Sequence, residues 1–139
     1  MVREFPNLSS TPFRVASPKT PAYNCIAWAA GETHRCWWPD KFRSYYWPVG
    51  IPRRSTLEAF LLAFETLDFV PCEHGDWEDG FEKIVIFADQ GKPTHAARQL
   101  SAATWSSKLG KEEDIEHTTD GLEGGSYGST AVFMKRSIA

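Results

Sequence analysis

The spacing of apolar residues changes period along this chain, and the changes mark its elements. Residues 1–22 show no period: Pro6, Pro12, Pro18 and Pro21 among Ser and Thr resist helix and predict an extended arm, with Phe5, Phe13 and Val15 as anchors. Tyr23-Asn24-Cys25-Ile26-Ala27-Trp28-Ala29-Ala30-Gly31 then predicts a short apolar helix. Asn24 is a favoured N-cap, and Gly31 can take the left-handed conformation that stops the helix. Residues 32–54 are again aperiodic and too long for a simple connector. There Trp37, Trp38, Phe42, Tyr45, Tyr46 and Trp47 alternate with Arg35, Lys41, Arg43, Arg53 and Arg54. A capping box runs from Ser55 to Glu58, and Leu57, Phe60, Leu61, Phe64 and Leu67 recur at helical spacing, predicting an amphipathic helix.

Beyond Phe69 and Val70, an extended piece closed by Pro71, the pattern turns to strands. Residues 72–80 form an acidic loop, with Glu73, Asp76, Glu78 and Asp79 on a solvated face. Residues 83–88 are a continuous β-prone apolar run, residues 89–93 carry turn chemistry, and residues 94–100 and 104–108 read as two further strands of an antiparallel meander. Residues 110–125 are polar and Gly-rich with anchors Ile115 and Leu122, and residues 129–134 read as a closing strand. Two helices followed by a sheet predict an α+β fold, with the N-terminal helices packed on an antiparallel sheet.

At 139 residues the chain is most economically one domain, 1–139, comprising the arm 1–22, the aromatic and basic loop 32–54 and the helices and strands around them. Hydrophobic residues make up 42% of the chain, which excludes wholesale disorder, and six Trp suggest a groove or core rich in rings. A formal charge of −3 gives no global reason to expect nucleic acid or an anionic membrane as partner. Three cysteines cannot all pair with one another, and no apolar h-region precedes the Pro-rich arm, so a reduced, cytoplasmic setting is expected unless a route without a signal peptide exports the chain. No apolar run approaches the ~18 residues of a membrane helix.

The chemistry centres on Cys25. At the first position of its helix, unpaired N–H groups and the positive end of the macrodipole favour thiolate over thiol, as a nucleophile requires. The alternative is a small buried hydrophobe on a core helix, as most free cysteines are. A thiol nucleophile needs a base, and the base needs a third polar group. His95, on the strand that follows the 89–93 turn, is the candidate base, and Ser107, on the next strand, is placed to orient it.

On these residues the chain resembles the NlpC-type papain-like cysteine peptidases and amidases, and is similar to their small bacterial members. In that superfamily a cysteine after Asp or Asn opens a helix, an apolar strand leads into a hairpin whose second strand begins with a histidine, and a third polar residue lies about a dozen positions on. Asn24-Cys25-Ile26-Ala27-Trp28 looks like the first block, Lys83-Ile84-Val85-Ile86-Phe87 through Thr94-His95-Ala96-Ala97-Arg98 like the second, and Trp105-Ser106-Ser107-Lys108 occupies the third. The resemblance implies a papain-like fold and a hydrolase of peptide or peptide-like amide bonds that uses no cofactor. Cys25 would be nucleophile, His95 general base and then acid, and Ser107 the orienting residue. The oxyanion would sit on the Cys25 N–H with Tyr23 or Asn24 as second donor, and Trp28 and Arg98 would line the substrate site. Ser107 departs from the usual His, Asn or Asp, and Glu82-Lys83 stands where the family commonly has Gly-Asp.

Three other readings compete. A catalytically silent papain-like module could use residues 35–54 to bind a protein partner. The same rings and guanidinium groups could stack on nucleic acid, although local packing beneath a loop is the commoner outcome. His34, Cys36, Cys72 and His74 supply the inventory of a zinc site, but their one-residue gaps are shorter than zinc knuckles use. His117 lies in a charged stretch where exposure is the usual outcome, and Arg98 could meet a substrate carboxylate, although a salt bridge to the acidic loop is the commoner outcome.

Overall fold

A computed structural model describes residues 13–17, 23–102, 104–108, 114–117 and 129–138. In chain order the elements are β1 (Phe13–Ser17), α1 (Cys25–Ala30), α2 (Leu57–Glu65), β2 (Val70–Cys72), β3 (Phe81–Asp89), β4 (Lys92–Gln99), β5 (Trp105–Lys108), β6 (Asp114–His117) and β7 (Ser129–Ser137). Their local causes are visible. The Asn24 side chain accepts the Ala27 N–H to start α1, and Gly31 at φ 88° ends it. α2 is capped by Thr56, which accepts from Ala59 N, so its cap lies one residue later than the box from Ser55 predicts. The β3–β4 hairpin turns through Gln90 and Gly91, both at positive φ, as a two-residue turn of the I′ type requires.

The strands form one seven-stranded sheet in the order β1-β6-β5-β4-β3-β7-β2, every pairing antiparallel. The α+β fold expected from the sequence is therefore present, and β3 to β6 are the meander. The sheet is wider than expected. Part of the arm is β1, part of the polar stretch is β6, where His117 pairs by backbone with Phe13 and Trp105, and β7 runs on to Ser137. The anchors Phe5 and Leu122 lie outside the described residues.

Register sorts the sheet residues onto two faces, because partners across a ladder share a face and neighbours along a strand alternate. Ile84 opposes Arg98 and Met134, and Ile86 opposes Ala96 and Val132. Ile84, Ile86, Ala96 and Met134 share one core with Cys25, Ile26, Ala29, Trp37, Trp47, Phe60 and Phe64 from α1, α2 and the loop between them. The other face carries the alternate set: Val85 opposes Ala97 and Phe133, and Phe87 opposes His95. Trp105, opposite Gln99, packs its ring on Phe133.

The acidic loop keeps Glu73, Asp76 and Asp79 exposed, as expected, with Glu78 half-buried, and its backbone also rests on this second face. Lys83 is 1% exposed, and its ammonium donates to the His74 carbonyl at 3.1 Å and lies 3.7 Å from Glu78 Oε1. Glu78 also accepts from Lys135 at 2.9 Å, and that bond, with nearby Lys83, holds its carboxyl below the usual range. Gln99 Nε2 donates to the Gly75 carbonyl at 2.7 Å. Gly75 presses so closely on the sheet that an added Cβ would stand 2.5 Å from Phe133 Cε1 and 3.1 Å from Trp105 Cζ2. Gly75→Ala is accordingly expected to lower stability by about 2 kcal/mol in urea denaturation, through overpacking. An unchanged midpoint would show that the loop yields without loss.

Candidate functional site

α1 is the only helix of the described chain whose first residue is a thiol, and three of its contacts decide what that thiol can do. Cys25 is 7% exposed and lies in the core shared with Ile84, Ile86 and Ala96. Burial pushes the thiol up from an ordinary value near 9 to about 11, although the backbone N–H groups of Ala96, Ile26 and Cys25 itself pull the other way. The expected helix-start thiolate is thus replaced by a neutral thiol, because desolvation outweighs the field of a single short helix.

His95 is fully buried, with its ring 5.5 Å from that of Phe87. That contact and the Phe87–His95 register put the imidazole on the second face, whereas Ala96, the next residue along β4, faces α1. The strand backbone therefore stands between the imidazole and the thiol. The Cys25–His95 pairing expected from the sequence is not made, and alternation by a single residue is the reason. Ser107 is held in β5 with its backbone opposite Ile115, and its side chain lies outside what is described. Its neighbour Ser106, opposite Arg98, faces α1 and accepts from Trp28 Nε1 at 3.1 Å. Sequence reasoning passed over Ser106 because two serines in succession give no sign of which one turns inward.

The residues expected around the substrate do gather, in other roles. The Tyr23 and Trp28 rings stack at 5.8 Å, and the Arg98 guanidinium lies 4.8 Å over the Trp28 ring. Arg98 thus stands on α1's side of the sheet, away from the acidic loop. Asn24 is a strap rather than an oxyanion donor: Nδ2 donates to Trp37 O at 2.7 Å, and Oδ1 accepts from Trp37 N at 3.0 Å and Ala27 N at 3.1 Å. Asn24→Asp keeps the capping oxygen but loses the amide donor and sets a carboxylate against a carbonyl. We expect it to lower stability by roughly 1–3 kcal/mol, although Asp is as good an N-cap as Asn. Thermal denaturation checks this, and a neutral result would mean that the Trp37 O bond contributes nothing.

The strap leads into the aromatic and basic loop, which is braced throughout. Trp37 is 2% exposed, pairs with Tyr46 as a β-bridge, and donates from its indole to Glu32. Arg35 also bonds Glu32, and the two donors, Arg35 foremost, hold that carboxyl below its usual range. The Arg35 guanidinium covers the Tyr46 ring at 3.5 Å. Trp38 and Trp47 pack on Phe60 of α2, with ring centroids 5.5 and 5.0 Å away. Asp40 accepts from Ser44 N at 2.8 Å, Tyr45 N at 3.2 Å and Arg53 Nη1 at 3.2 Å. Most of the rings read as a ligand surface therefore form the loop's own core. Phe42, Tyr45 and Val49 remain outside, 90%, 47% and 97% exposed.

Among the described residues no group of three or more His, Cys, Asp or Glu side chains could hold a metal ion, and no helix is long and apolar enough to cross a membrane.

Fold and site together define an α+β domain in which a cysteine-opened helix and a braced aromatic loop pack on one face of an antiparallel sheet. The chain belongs to the family described as domain of unknown function DUF7689, whose model matches residues 14–135. No curated protein and no solved structure matches it.

Proposed function

We propose that this chain is a catalytically silent binding module on a papain-like, NlpC-type scaffold, with the loop 35–54 as its contact surface. The scaffold reading is supported by a cysteine that opens a helix packed on a β-meander. Silence is the reading the site supports: a cysteine-dependent amide hydrolase needs an ionisable thiol within hydrogen-bond reach of its base, and here the thiol is buried and neutral with the imidazole across the sheet. One observation carries the binding role. The loop backbone is fixed by Asn24, Asp40 and Arg53 and its Trp37 ring by Glu32, yet it holds Phe42 and Val49 in water. A braced segment that keeps large apolar side chains outside is pre-organised for a partner.

Two measurements test this reading. In iodoacetamide labelling near pH 7, followed by peptide mass spectrometry, Cys25 should react after the partly exposed Cys36 and Cys72. First labelling of Cys25, slowed by His95→Ala, would restore the hydrolase. Proteins that co-purify with the tagged chain should be retained by Cys25→Ala and lost with Phe42→Asp combined with Val49→Asp. Retention by the double variant would remove the loop from the interface.

A further inference from the structure

We infer that the groove beside Arg43 takes an acidic peptide segment bearing an apolar side chain. This rests on the reading of the loop as the contact surface and names the chemistry of what binds there. The groove, about 390 Å³, is lined by Arg43, Trp47, Pro48, Val49, Gly50, Ile51 and Arg53, a volume suited to a few side chains rather than a folded domain.

Charge selects the ligand. From Lys41 to Arg54 the chain has four cations and no carboxylate, against a formal −3 for the whole molecule. Arg53 is committed to the brace: Nη1 bonds the Asp40 carbonyl at 3.1 Å and carboxylate at 3.2 Å, and Nη2 bonds the Tyr45 carbonyl at 3.2 Å. Among the described residues no carboxylate pairs with Lys41, Arg43 or Arg54. Arg43 is moreover held at φ 57°, a left-handed conformation rare for a residue with a side chain. The Asp40 bonds to Ser44 and Tyr45 fix that turn, so the guanidinium is offered from a rigid backbone.

Apolar surface selects a peptide over a nucleic acid. A single-strand binder lays out several rings for successive bases, but Trp37 and Trp47 are buried and Tyr46 lies under Arg35. The loop's exposed rings are Phe42 and Tyr45, and neither lines the groove, whose apolar wall is the aliphatic Val49 and Ile51 with Pro48. An Asp or Glu that reaches Arg43 while a neighbouring Leu, Ile or Phe covers Val49 satisfies both halves of the groove.

The test is selection of a displayed library of random peptides, about a dozen residues each, on the intact protein, followed by titration of the enriched peptides and of oligothymidylate. Peptides rich in Asp or Glu next to an apolar residue should emerge. Their affinity should fall about tenfold or more on Arg43→Glu or Val49→Asp and stay unchanged on Lys92→Glu, which makes the same charge change on the distant hairpin. Enrichment of basic or uncharged peptides that still depend on Val49 would overturn the acidic ligand and leave the loop as contact surface. Oligothymidylate binding lost on Arg43→Glu, with no peptide enriched, would overturn it in favour of nucleic acid. No enrichment, or peptides indifferent to both loop variants, would overturn the inference. If Phe42→Asp with Val49→Asp also leaves the co-purifying proteins in place, the loop reading falls with it.

Discussion

Replacing Trp37 by Ala should lower the unfolding free energy by about 4 kcal/mol, the largest effect expected of any single change in the loop. The side chain is 2% exposed, its ring lies 4.8 Å from that of Tyr46, and its indole N–H is bonded to Glu32. Truncation leaves a cavity between α1 and the loop and a half-buried carboxylate short of one donor. The backbone bonds from Asn24 to Trp37 N and O survive, so the damage should spread toward Tyr46 and Trp47 rather than into α1. Urea denaturation gives the total. Hydrogen exchange should show residues 36–47 losing protection well before the β3–β4 hairpin. Trp37→Phe separates the contributions, since it keeps most of the packing and gives up only the Glu32 bond, at about 1 kcal/mol. If Trp37→Ala and Trp37→Phe cost the same, the ring is not what seats the loop.

The second expected result concerns alkaline pH. The folded chain keeps the Cys25 proton up to about pH 11, whereas the unfolded chain releases it near its ordinary value of 9. Between those values the native state binds more protons than the denatured one, so stability falls as pH rises. Two units correspond to about 3 kcal/mol once both limits are passed. Lys and Tyr ionise in the same range, and comparison with Cys25→Ala subtracts them. Urea midpoints at about pH 8 and about pH 11 should fall more steeply for the wild type than for Cys25→Ala. A thiolate matched to an imidazolium would give the opposite sign, with stability gained above its lowered folded value. Equal slopes for the two proteins would mean that water reaches the sulfur.

Part of this architecture was legible in the sequence. Asn24 and Gly31 act through local backbone rules, so α1 could be read to the residue, and the apolar run in β3 announced a strand. What escaped was which side of that strand is which. Residues 83–87 are buried on both faces, and a strand without polar alternation carries no mark of the face that meets a helix. His95 takes its side from Phe87 across the ladder, so the one fact that decides its partner lay in a register no local pattern records. Ser106 and Ser107 pose the same ambiguity. The acidic loop is solvated as its composition suggests, and only its attachment to the sheet through Lys83 and Gln99 went unannounced. Trp37, Trp38 and Trp47 were visible as rings, but whether a ring faces core or water in an aperiodic segment depends on contacts such as Phe60 that are remote in sequence.

The sheet's outermost member on the β7 side is β2, three residues long with Pro71 at its centre. A rim so brief, with one position lacking an amide hydrogen, is a poor template for a strand from another molecule. On that flank the protein is guarded against fibril growth, even though Val70 faces the solvent.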